Sequence, residues 1–392
     1  MINTILGNIA SIVEKYFLFA FFLPVVLFAC ALAGGIVVSI GPDSAIAAVE
    51  NLSAARWAWT SALIVIVLIL VAYVLSALRE AMTQLWSGDA ALTRLILWGW
   101  IKLGKASQRA AYRRLRTASS GQSDWADVLR EYEDEVGKVW HSAGKAAGPW
   151  SRWIMRIRIR MLHPQMSIDL VRKRLLPIVA MYKKFDGNSL KREYELLKRR
   201  LIDWDERSNF AIQGCAALLD RSYGALATVK PTRLGNIIDS YNYYAYTRYK
   251  IQAELLWPRL QHVIPASYNT AVQDAKVILD FAICMCTLAT LYAVLALLAG
   301  PWLAFDPWLW GISAAVALLV ARFFYGLSVS AAMQYGDRLR SSFDLFRLDL
   351  LKQLGFGRPS KLSEERETWQ KLSQLVVYGT DIDLDIAPEK TP

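Results

Sequence analysis

The stretch "VILDFAICMCTLATLYAVLALLA" at residues 277–299 carries a single charged side chain, Asp280. A helix rises about 1.5 Å per residue, so about 20 residues cross the hydrocarbon core of a bilayer. This run is long enough to do so, and three others match it. Residues 16–40 and 57–78 contain no charge, and residues 308–328 contain only Arg322. Buried strands stop at about 4–8 residues, so runs of this length are helical. The mean hydropathy of +0.26 is too apolar for an average soluble chain. The four runs predict four transmembrane helices.

Orientation follows from the cations. Residues 79–276 hold 33 Lys and Arg against 19 Asp and Glu, whereas residues 41–56 hold one Arg and residues 300–307 hold no cation. Positively charged loops stay on the cytoplasmic side, so the middle segment and both termini are expected inside. The expected fold class is all-α, an integral membrane protein with two transmembrane helical hairpins flanking a large helical cytoplasmic domain. Its divisions are a hairpin over 1–78, the basic domain over 79–276, a second hairpin over 277–328, and cytoplasmic helices with an acidic tail over 329–392.

The net charge of +11 suits a domain facing an anionic inner leaflet. Nucleic acid is not an expected partner, since no recognisable reading module is present. "LFAC" at 27–30 faintly resembles a lipoprotein processing site. However, Glu14 precedes the apolar run, which continues ten residues past Cys30. A signal's apolar region spans about 7–15 residues, so the first helix is expected to be retained. Cys30, Cys215, Cys284 and Cys286 form neither a disulfide framework nor a metal-ligand spacing. Cys284 and Cys286 point about 200° apart on a helix.

Within the middle segment, "LREAMTQLWSGDAALTRLILWGWIKLG" mixes Trp and Leu with cations. It reads either as an interfacial segment with Trp at headgroup depth or as a buried helix of the domain. From Asp124 onward, Trp125, Val128, Leu129, Tyr132, Val136, Val139 and Ala143 mark one helical face, with Asp124 able to cap it. In "WSRWIMRIRIRML" at 150–162, Arg156, Arg158 and Arg160 alternate with apolar residues. They read as contacts to phosphate groups, from lipid headgroups or a ligand, or as ordinary helix-surface arginines. Leu190, Tyr194, Leu197, Leu201, Trp204, Ser208, Ala211, Cys215 and Leu218 step by 4 and 3. That seam predicts a long helix packed in coiled-coil manner, within the chain or between copies. In the tail, Tyr335, Leu339, Phe343, Phe346, Leu350 and Leu354 mark another amphipathic helix, and Ser363 before Glu364, Glu365 and Glu367 predicts a helix start.

Between them lies "TRLGNIIDSYNYYAYTRYKIQAELLWPRL" at 232–260, with five tyrosines and four cations. Tyrosine pairs an apolar ring with a polar tip and suits a headgroup boundary or a domain junction. The stretch reads as a collar joining domain to membrane. Trp257, pushed from helical geometry by Pro258, is expected to end it in a bend. A ligand pocket built from Arg233, Tyr249 and Arg259 is the sharper alternative.

Several stretches together resemble an uncharacterised family of bacterial multi-pass membrane proteins. They are "YFLFAFFLP" at 16–24, "LREAMTQLWSGD" at 78–89, "TRLGN" with "RY" and "LWPRL" at 232–260, "YGDRLRSSFDLFRLDLLKQL" at 335–354 and "EERETWQKL" at 364–372. The chain differs from the family pattern at Ser87-Gly88-Asp89 and in its tyrosines between "RLGN" and "RY". The resemblance implies the topology above and a bacterial inner membrane. It brings no activity with it.

His141, His163 and His262 form no spaced ligand pair, and no Gly-rich phosphate loop or catalytic signature occurs. The expectation is a non-enzyme without metal or cofactor. The sharper clue is the pair of intramembrane charges, since such groups are paired, snorkelling or lining an aqueous path. Counted from the turn between them, Asp280 and Arg322 differ by about 7.5 Å in depth. An Asp280–Arg322 pair, a snorkelling Arg322 and a pore lining are the three readings. Pro24 can kink the first helix. The sequence thus points to a homo-oligomeric effector or ion channel regulated by its cytoplasmic domain and a protein or small-ligand partner. A membrane-anchored scaffold or adaptor is the alternative, and a lipid-modifying enzyme the third.

Overall fold

The computed structural model describes residues 15–40, 54–89, 98–120, 124–140, 162, 171, 173–175, 178–179, 187–303 and 307–379. It is all-helical, at 91% helix and with no strands among the described residues. Two compact units emerge: residues 1–110 with 221–392, and residues 111–220. The expected segment 79–276 is therefore divided, its two ends belonging to the unit that holds the apolar helices.

Four helices are long and apolar enough to cross a membrane: Lys15–Val37, Trp59–Ala77, Ala266–Leu298 and Trp308–Gln353. The first opens with a π turn at Leu18–Phe22 and continues as α1, Leu23–Ile40. The π turn stands immediately before Pro24, whose ring would crowd the carbonyl four residues back in a regular helix. The expected kink site is thus marked by a widened turn, and the helical path continues through it. The second is α2, Ala54–Ala77. It carries large exposed apolar side chains around its circumference, with Trp59 79% and Tyr73 70% accessible. Only Ala72 among its described residues is fully covered. A surface this apolar matches lipid rather than water.

After a break at Leu78 comes α3, Arg79–Ser87, closed by Gly88 in the left-handed region at φ 81°. Helix α4, Trp98–Ser120, starts in the first unit and runs into the second, where α5, Asp124–Trp140, follows. Helix α6, Gly187–Ser222, returns the chain. In the second unit, Val128, Tyr132 and Val136 of α5 pack with Leu197, Leu201 and Trp204 of α6. Lys198 pairs with Glu133 at 2.7 Å beside them. The expected 4-and-3 seam is thus buried at Leu197, Leu201 and Trp204. Ala211 and Leu218 further along it are exposed. Arg156, Arg158 and Arg160 lie outside the described residues.

The rest of the first unit is built from α7, Arg233–Tyr249; α8, Ala253–Val263; α9, Ala266–Leu303; α10, Pro307–Gln353; and α11, Leu362–Tyr378. Helices α9 and α10 lie side by side along most of their length. Tyr268 meets Phe346, Phe281 meets Phe324, and Cys286 donates to the Ala321 carbonyl. Residue numbers fall on one helix as they rise on the other, so the pair is antiparallel. At about 1.5 Å per residue, α9 is about 57 Å long and α10 about 70 Å. Both exceed the roughly 30 Å of a hydrocarbon core, so each carries a second stretch that packs against other helices.

Helix α7 packs on that second stretch of α10. Gly336 makes this possible, because a Cβ there would lie 2.7 Å from Tyr241 Cδ1. Thr232 caps α7 by accepting from the Gly235 N–H. The bend after α7 falls at Lys250, left-handed at φ 65°, and not at Trp257. Helix α8 continues through Pro258, the sixth of its eleven residues. There the missing N–H deprives only the Glu254 carbonyl. Helix α11 begins at Leu362 rather than at Ser363. The Glu364 carboxylate accepts from Ser360 N–H and Oγ and from Lys361 N–H. These bonds hold its pKa below the usual carboxylate value.

Candidate functional site

Asp280 is buried to 5% exposure where three of the apolar helices meet. The Tyr16 hydroxyl donates to its carboxylate. Arg79 Nη1 donates to the Tyr16 oxygen at 2.9 Å and stands 3.8 Å from Asp280 Oδ2. One carboxylate therefore joins the start of the first apolar helix, the first residue of α3 just past the second, and the body of the third. Low dielectric strengthens such a network and makes a missing partner costly. Beside it lies a cavity of about 300 Å³ lined by Arg79, Glu80, Trp257, Lys276, Asp280 and Tyr335, among others.

Asp280 does not pair with Arg322. The level of the two residues agrees with the sequence estimate, since residue 281 stands opposite 324 and residue 286 opposite 321. The face is what differs. Ala321 turns toward α9, and Arg322, one residue further round α10, is exposed. Its Nη1 lies 3.7 Å from the Cβ position of Gly326, one turn toward the α7 side. The guanidinium leans along its own helix, as a snorkelling side chain does.

The aromatic stretch forms a second layer of polar contacts. Asp344 of α10 accepts from Tyr249 at 2.7 Å and from Tyr244 at 2.9 Å. Arg347 stacks over the Tyr249 ring at 4.0 Å and donates to Glu365 of α11 at 2.6 Å. Arg340 lies over Tyr244 at 5.2 Å and donates to the Ser240 hydroxyl. Burial first, and then the bond to Asp344, raises the Tyr244 and Tyr249 phenol pKa values above their usual 10. Between this collar and the Asp280 cluster, Trp257 packs on Phe343 at 6.1 Å and Tyr241 on Tyr335 at 5.6 Å.

The pocket expected from Arg233, Tyr249 and Arg259 is not assembled. Arg233 opens α7 and Tyr249 closes it, about 24 Å away along the axis. Arg259 is exposed and donates to the Leu255 carbonyl of its own helix. Tyr249 and Trp257 belong to the collar, and Pro24 lines a separate apolar cavity of about 320 Å³ with Phe28, Leu288 and Val316. Tyr16, Arg79, Asp344, Arg347 and Glu365 were missed in the sequence. The available signal was position: Tyr16 and Arg79 are polar groups at the ends of apolar runs.

Among the described residues, no group of three or more His, Cys, Asp or Glu is placed to hold a metal ion. No protein-family model, curated protein or solved structure matches the chain. Residues within 16–24, 78–89, 232–260, 335–354 and 364–372 contribute to the Asp280 cluster, the collar or the helices between them.

Proposed function

We propose that the chain is a homo-oligomeric effector of the bacterial inner membrane, of the multi-pass family it resembles, that passes ions under control of its cytoplasmic part. Both termini and the 79–276 segment lie in the cytoplasm, where 33 cations against 19 acids face anionic lipid. The observation that carries the reading is the unbroken course of α10 from Pro307 to Gln353. One rigid rod bears Arg322, Tyr335 beside the Asp280 cluster, and Asp344 and Arg347 of the collar. A partner or ligand that moves α7 or α11 therefore moves the membrane helices.

The conducting path lies between copies in this reading. The cavity within one protomer's apolar helices is lined almost wholly by apolar side chains, Pro24, Phe28 and Val316 among them. That same lining favours the second reading, a membrane-anchored scaffold that recruits a cytoplasmic partner, if the chain is monomeric. Induction in cells with a potential-sensitive dye, together with the particle mass in mild detergent, separates them. The effector reading expects an oligomer and a falling membrane potential, reduced by Arg322→Leu. A monomer that leaves the potential intact supports the scaffold.

A further inference from the structure

Pro231 sits at a three-way junction of backbones. Its Cγ lies 2.4 Å from the Cβ position of Gly88, and its carbonyl oxygen 2.7 Å from that of Gly104. A Cβ on Gly235 would come within 2.3 Å of the Ser87 carbonyl oxygen. Glycine at these three points lets the end of α3, α4 and the start of α7 touch through their backbones. The result is a rigid floor, and beside it opens a cleft of about 390 Å³. That volume lies in the usual range for small-ligand sites.

The cleft is cationic. Lys102, Lys105 and Arg109 stand at i, i+3 and i+7 on α4, one stripe of the helix, and line it with Lys230 and Thr228. Asp89 is the one acid among the described lining residues. Its carboxylate already accepts from Lys230 Nζ at 2.7 Å and from Ser87 Oγ at 3.1 Å. Asp239 stands 3.5 Å from Lys230 on the other side. Lys230 is thus held and balanced by carboxylates, and among the described lining residues no further acid faces Lys105 and Arg109. Like charges at this spacing disfavour one another, and an anion in the cleft reverses the sign of that interaction.

We propose that this cleft binds a phosphate-bearing anion, supplied by a free phosphorylated small molecule or by the headgroup of an anionic lipid. Arg109 presents a planar fork that matches phosphate oxygens, and the lysines act as point charges around it. Thr228 already donates to the Ala225 carbonyl and Asp239, so it contributes its position rather than a spare proton. The site goes beyond the effector reading, because binding stands whether or not the chain passes ions.

Native mass spectrometry of the full chain in phosphate-free detergent tests it. One arm is titrated with pyrophosphate and the other with phosphatidylglycerol. K105A/R109A is expected to weaken the bound species by about tenfold or more. R113A/R114A removes equal charge from the same helix outside the cleft lining, and should stay within about threefold of wild type. Selective loss in the pyrophosphate arm assigns a soluble phosphate, and selective loss in the lipid arm assigns a headgroup. If neither ligand binds, or both double variants weaken binding equally, the proposal is wrong.

Discussion

The hydroxyl of Tyr16 donates a hydrogen bond to the carboxylate of Asp280, across 264 residues of sequence. Arg79 completes the contact from the first residue of α3, just past the second apolar helix. The first and third apolar helices and α3 are thereby tied at one buried carboxylate, where an unpaired charge is expensive.

Replacing Asp280 by Leu leaves Tyr16 without its acceptor and Arg79 without its counter-charge, whereas Asn retains a carbonyl oxygen. Leu should therefore lower stability by roughly 1–3 kcal/mol, and Asn by less. Thermal unfolding of the detergent-solubilised protein ranks the two. Equal loss would show that the negative charge removed by both variants matters and that the retained carbonyl oxygen does not.

Two glycines predict opposite signs. Gly235→Ala places a methyl group 2.3 Å from the backbone oxygen of Ser87, so α3 and α7 must separate. Overpacking of this kind costs roughly 1–3 kcal/mol. Gly214 of α6 has nothing within 4 Å of its Cβ position, and Gly214→Ala should add roughly 0.5–1 kcal/mol through helix propensity. Melting of the purified variants reads both.

The collar predicts an alkaline weakness. The folded state holds the Tyr244 and Tyr249 protons more tightly than the unfolded chain does. Their contribution is complete below the unfolded value of about 10 and declines as pH rises beyond it. Stability measured from pH 9 upward should fall, and Y244F/Y249F should flatten the fall. An unchanged slope in the double variant would remove these phenols from the account.

Arg347 fastens α11. It stacks on Tyr249 and donates to Glu365, whose neighbour Trp369 is fully buried. Lysine has neither the planar face nor the fork, so Arg347→Lys should cost roughly 1–2 kcal/mol in the collar. Faster tryptic cleavage at Lys361, between α10 and α11, is the expected reading.

How much of this was legible beforehand depends on the range of the interaction. The four apolar helices were plain because an apolar run of about twenty residues with at most one charge has one reading. The level of Asp280 against Arg322 was also recoverable by counting residues from the turn. The face of Arg322 was not, because a single residue turns a helical side chain by about 100°. The collar was hidden for another reason. Tyr249 and Asp344 are 95 residues apart, and their pairing depends on Gly336 letting α7 approach α10. Pro258 misled because a proline inside a helix need not end it. It stands at the middle of α8, which continues through it, while Lys250 makes the bend.

The central claim is that the collar controls ion passage through an assembly of copies. Its most direct test is potassium efflux from liposomes holding the purified chain, comparing wild type with Asp344→Asn. That change removes the acceptor charge shared by Tyr244 and Tyr249 and lies outside the Asp280 cluster. The account predicts oligomers of equal mass, efflux from wild-type vesicles, and a clearly different efflux rate for the variant. Vesicles of both proteins that retain their potassium, or that release it at the same rate, would contradict it.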